Sequence, residues 1–212
     1  KGVARGTPGL IAPTMTIGQP IEEHTIDGVR IIFQLAPETE APAEMHMFYP
    51  GLGVLNMAEN ACPLLHNFIP LRGAVVRDPR IWAKYIGEAV DLYGSGTEIL
   101  IGQHHWPVWG RAAVVDHLEA QRDLYKHIHD QTLRHMNKGW RPAEIAEAID
   151  LPPDLAGRWS VRGYYGTVNH NVKAVYQRYL SWYDGNPCNL HPLPPAPAAA
   201  KFVEYMGGAA AV

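Results

Sequence analysis

The sequence is short of the features that mark several classes of protein. Only two of its 212 residues are cysteine, Cys62 and Cys188. Two thiols so far apart make neither a disulfide framework nor a zinc ribbon, and they are expected to be partly buried. Lysine and arginine number 18 against 21 acidic residues, for a formal charge of −3. No basic stripe points to nucleic acid, and no Lys/Arg-rich run points to an anionic membrane. Apolar runs fall far short of the ~20 residues a membrane helix needs, so no membrane span is expected. The start, Lys1-Gly2-Val3, carries neither an initiator Met nor an apolar signal core. The end, Gly207-Gly208-Ala209, reads as a linker, and a piece of a longer chain is expected.

What is present is ordinary globular composition, with 47% apolar residues, enough to exclude disorder over most of the chain. The first third alternates with a period of two. Residues 18–24 and 29–35 read as strands joined by Asp27-Gly28, a hairpin turn signal. Residues 45–49 and 52–57 read as two further strands. Asp78-Pro79 opens a helix running to Gly94, with Asp as cap and Pro in the first position. Residues 99–101 form a short buried strand. Beyond Arg111 the period becomes 3.6. Helices are expected over residues 111–136, 142–149, 168–183 and 198–206, with a Pro-rich connector at 191–197. A domain boundary is placed near Val108 to Arg111, separating residues 1–108 from residues 109–212. The long helix spans ~39 Å, and its face bearing Tyr125 and Ile128 is expected to stay exposed and serve a partner.

Eleven histidines is a high count, and most are read as structural. His127-Ile128-His129 imitates a metal motif, but positions two apart on a helix point about 200° away from one another. His104 and His105 differ, because they end a short apolar strand, a usual place for ligands and catalytic groups. Glu40 and Glu59 also sit at strand ends, where a carboxylate must be solvated, paired or metal-bound. Two carboxylates and a histidine can hold zinc or a pair of divalent metals. Asn67 and Arg72 offer forked donors for a tetrahedral oxyanion. The alternative for Arg72 is a structural pair with Asp78.

Several separate motifs resemble the alkyl sulfatases of the metallo-β-lactamase superfamily. They are residues 33–45 around Pro37-Glu38-Thr39-Glu40-Ala41-Pro42, then Met57-Ala58-Glu59-Asn60-Ala61, Leu65-His66-Asn67 and Leu71-Arg72-Gly73-Ala74. His104-His105-Trp106-Pro107-Val108-Trp109-Gly110, Gln121-Arg122-Asp123-Leu124-Tyr125-Lys126 and residues 162–176 follow in order. The resemblance implies an α+β fold: the C-terminal half of a metallo-β-lactamase-type αββα sandwich, then an all-α dimerisation domain. It implies a binuclear zinc site with Glu40, bridging Glu59 and His104 as ligands from this half. The other half of that site, an H-x-H-x-D-H motif, is absent from the chain. Asn67 and Arg72 match sulfate-binding positions, and Tyr176 is expected to line the same pocket. Tyr165 falls where several members carry a His assigned as acid or sulfate contact, so Tyr165 is the catalytic candidate and the proton donor stays open.

The implied activity is hydrolysis of linear alkyl sulfate esters, such as dodecyl sulfate, by a full-length homodimer. The resemblance points to a bacterial periplasmic or secreted setting. Two alternatives stand beside it: a non-catalytic dimerisation scaffold, or a hydrolase of the same fold acting on another ester.

Overall fold

The computed structural model describes residues 6–7 and 9–211. The chain forms two compact units. One combines the chain up to Cys62 with Tyr85–Glu119, and the other combines Pro63–Lys84 with the residues from Ala120 onward. This division cuts the chain differently from the boundary near Val108 to Arg111. Residues 63–84 lie early in the sequence but pack with the later helices.

The first unit is built on a sheet. Among the described residues its six strands are β1 (Ile21–Ile26), β2 (Val29–Leu35), β3 (Met45–Tyr49), β4 (Val54–Asn56), β5 (Ile99–Ile101) and β6 (Val108–Trp109), paired in that order. The first four form an antiparallel meander, β5 joins β4 in parallel, and β6 closes antiparallel on β5. Asp27 and Gly28 both take positive φ, 51° and 80°, as a tight primed turn requires. The fourth strand begins later than the sequence pattern predicts, because Gly53 turns with φ 62°. Leu55 and Leu100 are buried on the paired strands β4 and β5. Phe48 stacks on Tyr93 with ring centroids 5.0 Å apart.

Helix α1 (Pro79–Tyr93) and helix α2 (Arg111–Met136) match the predicted spans. The second unit continues with α3 (Pro142–Ala148), α4 (Pro153–Ala156), α5 (Val168–Leu180) and α6 (Pro195–Tyr205). The α+β class is as expected, and no strand among the described residues lies beyond Trp109. Helix α5 stops at Leu180 rather than Tyr183, because Ser181 takes φ 66°. Helix α6 begins at Pro195 instead of Ala198. Its prolines fall in the first turn, where the backbone N–H has no helical partner to lose. The single-turn α4 carried no legible signal.

The core of the second unit is aromatic. Trp82, Tyr125 and Phe68 are fully buried, with Trp82 and Tyr125 centroids 4.8 Å apart and Phe68 edge-on to Tyr125 at 5.5 Å. Tyr125 and Ile128 are therefore not a free face. The expectation that they stay exposed fails because the segment around Phe68 and Trp82 covers Tyr125. Exposed apolar side chains gather further on, at Trp182, Leu193, Phe202, Tyr205 and Met206.

Asp78 is the anchor of the 63–84 segment. Its Oδ1 accepts the N–H groups of Arg80 and Ile81 at 2.9 and 3.1 Å, capping α1. Its Oδ2 accepts from Arg178 of α5 at 2.9 Å, and Arg178 also donates to the Val76 carbonyl. Arg178, not Arg72, is thus the partner of Asp78. Asp78→Ala removes cap and ion pair and should lower unfolding free energy by about 2–3 kcal/mol. Asp78→Asn keeps the cap acceptor and should cost less. Urea denaturation of the three proteins tests that order.

Candidate functional site

In the first unit Glu59 lies close to both of the other predicted ligands. A carboxylate oxygen of Glu40 lies within 4.8 Å of one of Glu59. Glu59 Oε1 lies 2.6 Å from His104 Nε2. His104, not His105, meets the carboxylate. Each ligand's turn carries a non-glycine residue in the left-handed region: Glu38 at φ 63°, Ala58 at φ 50° and His104 at φ 70°. Such positions cost of order ~1–3 kcal/mol and persist where the surroundings fix them. Only two other non-glycine residues among those described share this conformation, Asp27 and Ser181.

The surroundings do fix them. Ala58 N–H donates to Asn56 Oδ1 at 2.9 Å. Gln103 N–H donates to the Ala58 carbonyl at 3.1 Å. A Cβ on Gly102 would come within 2.7 Å of that same carbonyl, so only glycine lets the two turns approach so closely. The buried Cys62 thiol lies 3.4 Å from the Glu59 carbonyl and 3.7 Å from that of Gln103. The Glu40 turn is tied in by Asn60. Its Oδ1 accepts from Glu40 N–H at 3.3 Å, and its Nδ2 donates to Thr39 Oγ1 at 3.0 Å and to His46 Nε2 at 2.8 Å. Thr39, His46 and Asn60 are all buried.

Negative charge accumulates at this point. Burial, together with the charges of Glu40 and Glu59, pushes the Glu44 carboxyl up to about 7. Burial and the same three carboxylates push the Cys62 thiol up to about 12. Two carboxylates, an imidazole and a strongly negative potential suit a divalent cation. Trp106 and Trp109, which follow His104 in the chain, stand exposed.

The second unit holds the other candidates. Asn67 is buried, and Arg77 donates from Nη1 to its Oδ1 at 2.5 Å and to its carbonyl at 3.0 Å. This fixes the amide so that Nδ2 faces the Tyr165 carbonyl, at 3.3 Å. Gly166 lies against this segment, where a Cβ would come within 2.8 Å of the Asn67 nitrogen. Asn171 of α5 accepts from Phe68 N–H and donates to the His66 carbonyl, both at 2.9 Å. The Tyr165 ring is half exposed and packs edge-on against His66 at 4.8 Å. Arg72 is exposed on the loop that follows. Tyr176 is buried in α5, so its side chain is packed in the unit and does not stand open.

His127 and His129 do diverge. His127 Nε2 meets the Asp150 carbonyl, while His129 sits between Asp130 and Tyr179. The sequence reading missed Arg77, Glu44, His46 and Asn60. Asn60 directly follows Glu59 in the quoted motif, so its position was the one available signal.

Residues 141–212 match the alkyl sulfatase dimerisation family. The chain is 56% identical over its whole length to an alkyl/aryl-sulfatase of Saccharomyces cerevisiae, covering 33% of that protein. Along its whole length the chain is similar to alkylsulfatases. It is also 50% identical over 98% of its length to a linear primary-alkylsulfatase of a Pseudomonas species, covering 31% of it. The solved structure of a stereoselective inverting sec-alkylsulfatase from Pseudomonas superposes with a TM-score of 0.93 at 48% identity, over 95% of this chain and 32% of that one. The chain thus spans about a third of the length of these alkylsulfatases.

The His46 imidazole is pushed down to about 3 by its burial. The unfolded chain binds that proton near pH ~6.5, so the native state loses stability as pH falls below this value and the loss levels off near the folded pKa. From pH 7 to pH 5 His46 should account for roughly 2 kcal/mol of lost stability. Burial shifts His117 in the same direction. Urea unfolding at the two pH values should show a shallower drop in His46→Gln, and an unchanged drop would count against a neutral His46.

Proposed function

We propose that the full-length protein containing this chain hydrolyses linear alkyl sulfate esters, such as dodecyl sulfate, to an alcohol and inorganic sulfate. The observation that carries this reading is that Glu59 lies close to Glu40 and meets His104, in a chain similar to alkylsulfatases along its whole length. Residues 1–108 are read as the later part of a metallo-β-lactamase-type catalytic domain and residues 109–212 as the dimerisation domain. The proposed ligands are Glu40, Glu59 and His104, for a binuclear zinc site completed from elsewhere in the protein.

Zinc bound there would supply Lewis acidity and an activated water at neutral pH. The chain's own residues do the rest. Glu40 and Glu59 hold the cations and set the charge that attracts them. The Arg72 guanidinium and the Asn67 amide bind sulfate oxygens and stabilise the charge that develops on them. Arg77 holds the Asn67 amide in one orientation for that task. Tyr165, half exposed, carries a hydroxyl suited to donate a proton to the leaving alkoxide. Trp106 and Trp109 offer apolar surface to the alkyl chain. R–O–SO3⁻ and water give R–OH and HSO4⁻. Tyr176 is read as a packing residue behind the sulfate contacts.

Glu59→Ala in the full-length protein should lose zinc and activity together, with kcat/KM on dodecyl sulfate down more than about 100-fold. Arg72→Lys should keep zinc and lose roughly 10- to 100-fold in kcat/KM, because an ammonium lacks the forked donors. Zinc analysis with steady-state kinetics separates the two. Full zinc in Glu59→Ala refutes the metal assignment.

The assembly is read as a homodimer formed through the later helices. The support is the dimerisation-family match together with exposed Phe202, Tyr205 and Met206 near the end of α6. Light scattering after size-exclusion chromatography should give a dimer. The double substitution Phe202→Asp and Tyr205→Asp should give a monomer with unchanged helical circular dichroism.

A further inference from the structure

The hydrogen bonds behind the Glu40 turn run in one direction, and their polarity is fixed at both ends. Glu40 N–H can only donate, and it meets Asn60 Oδ1 at 3.3 Å. The Asn60 amide nitrogen therefore faces His46 Nε2 at 2.8 Å, where it donates. An imidazole nitrogen that accepts is unprotonated, so the proton of neutral His46 sits on Nδ1. His46 Nδ1–H meets Gln34 Oε1 at 3.0 Å. Gln34 Nε2 then points to Glu88 Oε2, at 3.4 Å, and a carboxylate can only accept. Four bonds thus run from the Glu40 backbone on one turn to Glu88 on α1. Gln34, His46 and Asn60 in between are all but sealed from solvent.

We infer that His46, as the Nδ1–H tautomer, is a positioning residue for the Glu40–Glu59 carboxylate pair. Acting through Asn60, it holds the two ligand-bearing turns in register for a divalent cation. The physical reason lies in the Asn60 amide. It joins the chain of Glu59 to the backbone of Glu40 only while its NH2 group has acceptors on the far side, and His46 Nε2 and Thr39 Oγ1 are those acceptors. With the imidazole removed, one amide proton is left buried without an acceptor, and the amide gains by turning away from Glu40. The ligand oxygens then lose their fixed spacing. Partners that orient ligands typically change metal affinity by 10- to 100-fold. Burial of His46 keeps the ring neutral across the working pH range, which the accepting role of Nε2 requires.

This inference rests on the metal assignment above, so the test includes a control for it. In the full-length protein, zinc affinity is measured by chelator competition, and the cobalt-substituted protein is read by its visible absorption band. Circular dichroism reports folding. Glu40→Ala should lose zinc. His46→Leu should keep its helical spectrum, bind zinc about 10- to 100-fold more weakly and shift the cobalt band. His46→Gln offers an amide oxygen to Asn60 and an amide N–H to Gln34, and it should recover zinc affinity to within about threefold of wild type. If His46→Leu does not fold, Thr39→Val decides. That near-isosteric change removes the other Asn60 acceptor and should still weaken zinc binding. Wild-type zinc affinity in folded His46→Leu or Thr39→Val overturns the inference, as does a His46→Gln protein no better than His46→Leu. If Glu40→Ala keeps its zinc, the metal assignment itself falls and the inference falls with it.

Discussion

A buried amide must find a partner for each of its polar atoms, and in the first unit that requirement falls on Asn60. Its side chain has no access to water, so its bonds must come from the protein. They come from the Glu40 backbone, from Thr39 and from His46. The turn after β4 is thereby held against the turn after β2. The next turn, after β5, is held by the Ala58 carbonyl, which accepts from Gln103 and leaves no room for a side chain on Gly102. Three loops at the ends of three strands become one rigid rim. Glu40, Glu59 and His104 stand on it, and the left-handed residues Glu38, Ala58 and His104 are tolerated because of it.

The second unit solves a similar problem with a different group. Residues 65–78 make no helix or long strand until α1 begins, so their backbone groups need partners from outside the segment. Gly166 N–H donates to the Leu65 carbonyl, Asn171 takes both His66 and Phe68, His170 takes Ile69 and Arg178 takes Val76. The loop before α5 and its first three turns thus serve as a template for an irregular stretch. Asn67 and Arg72, the sulfate candidates, lie on that stretch. Arg77 lies on it too, and its guanidinium removes the one ambiguity left to a buried amide, which way it faces.

Much of this was legible in the sequence. The period of two and the Asp27-Gly28 turn specify the meander, and a period of 3.6 with Asp78-Pro79 and Gly139 at its edges specifies the helices. These signals are local, and the spans of α1 and α2 follow directly. Glu40, Glu59 and His104 were legible as candidates because they sit at strand ends and within motifs that resemble those of alkyl sulfatases. Their approach to one another required the sheet order, in which β5 joins β4 in parallel across more than forty residues.

Tertiary structure alone decided the partnerships. Arg72 was the partner the sequence offered for Asp78, and the structure pairs Asp78 with Arg178, a hundred positions away. The Tyr125 and Ile128 face has the spacing of an exposed stripe, yet the segment around Phe68 and Trp82 covers Tyr125. Glu44 has the sequence context of a solvated acid, yet burial beside Glu40 and Glu59 raises it towards neutrality. The reason is common to all three. Periodicity and capping are set by neighbours within a few residues, whereas burial and charge pairing depend on distances that only the packed chain defines.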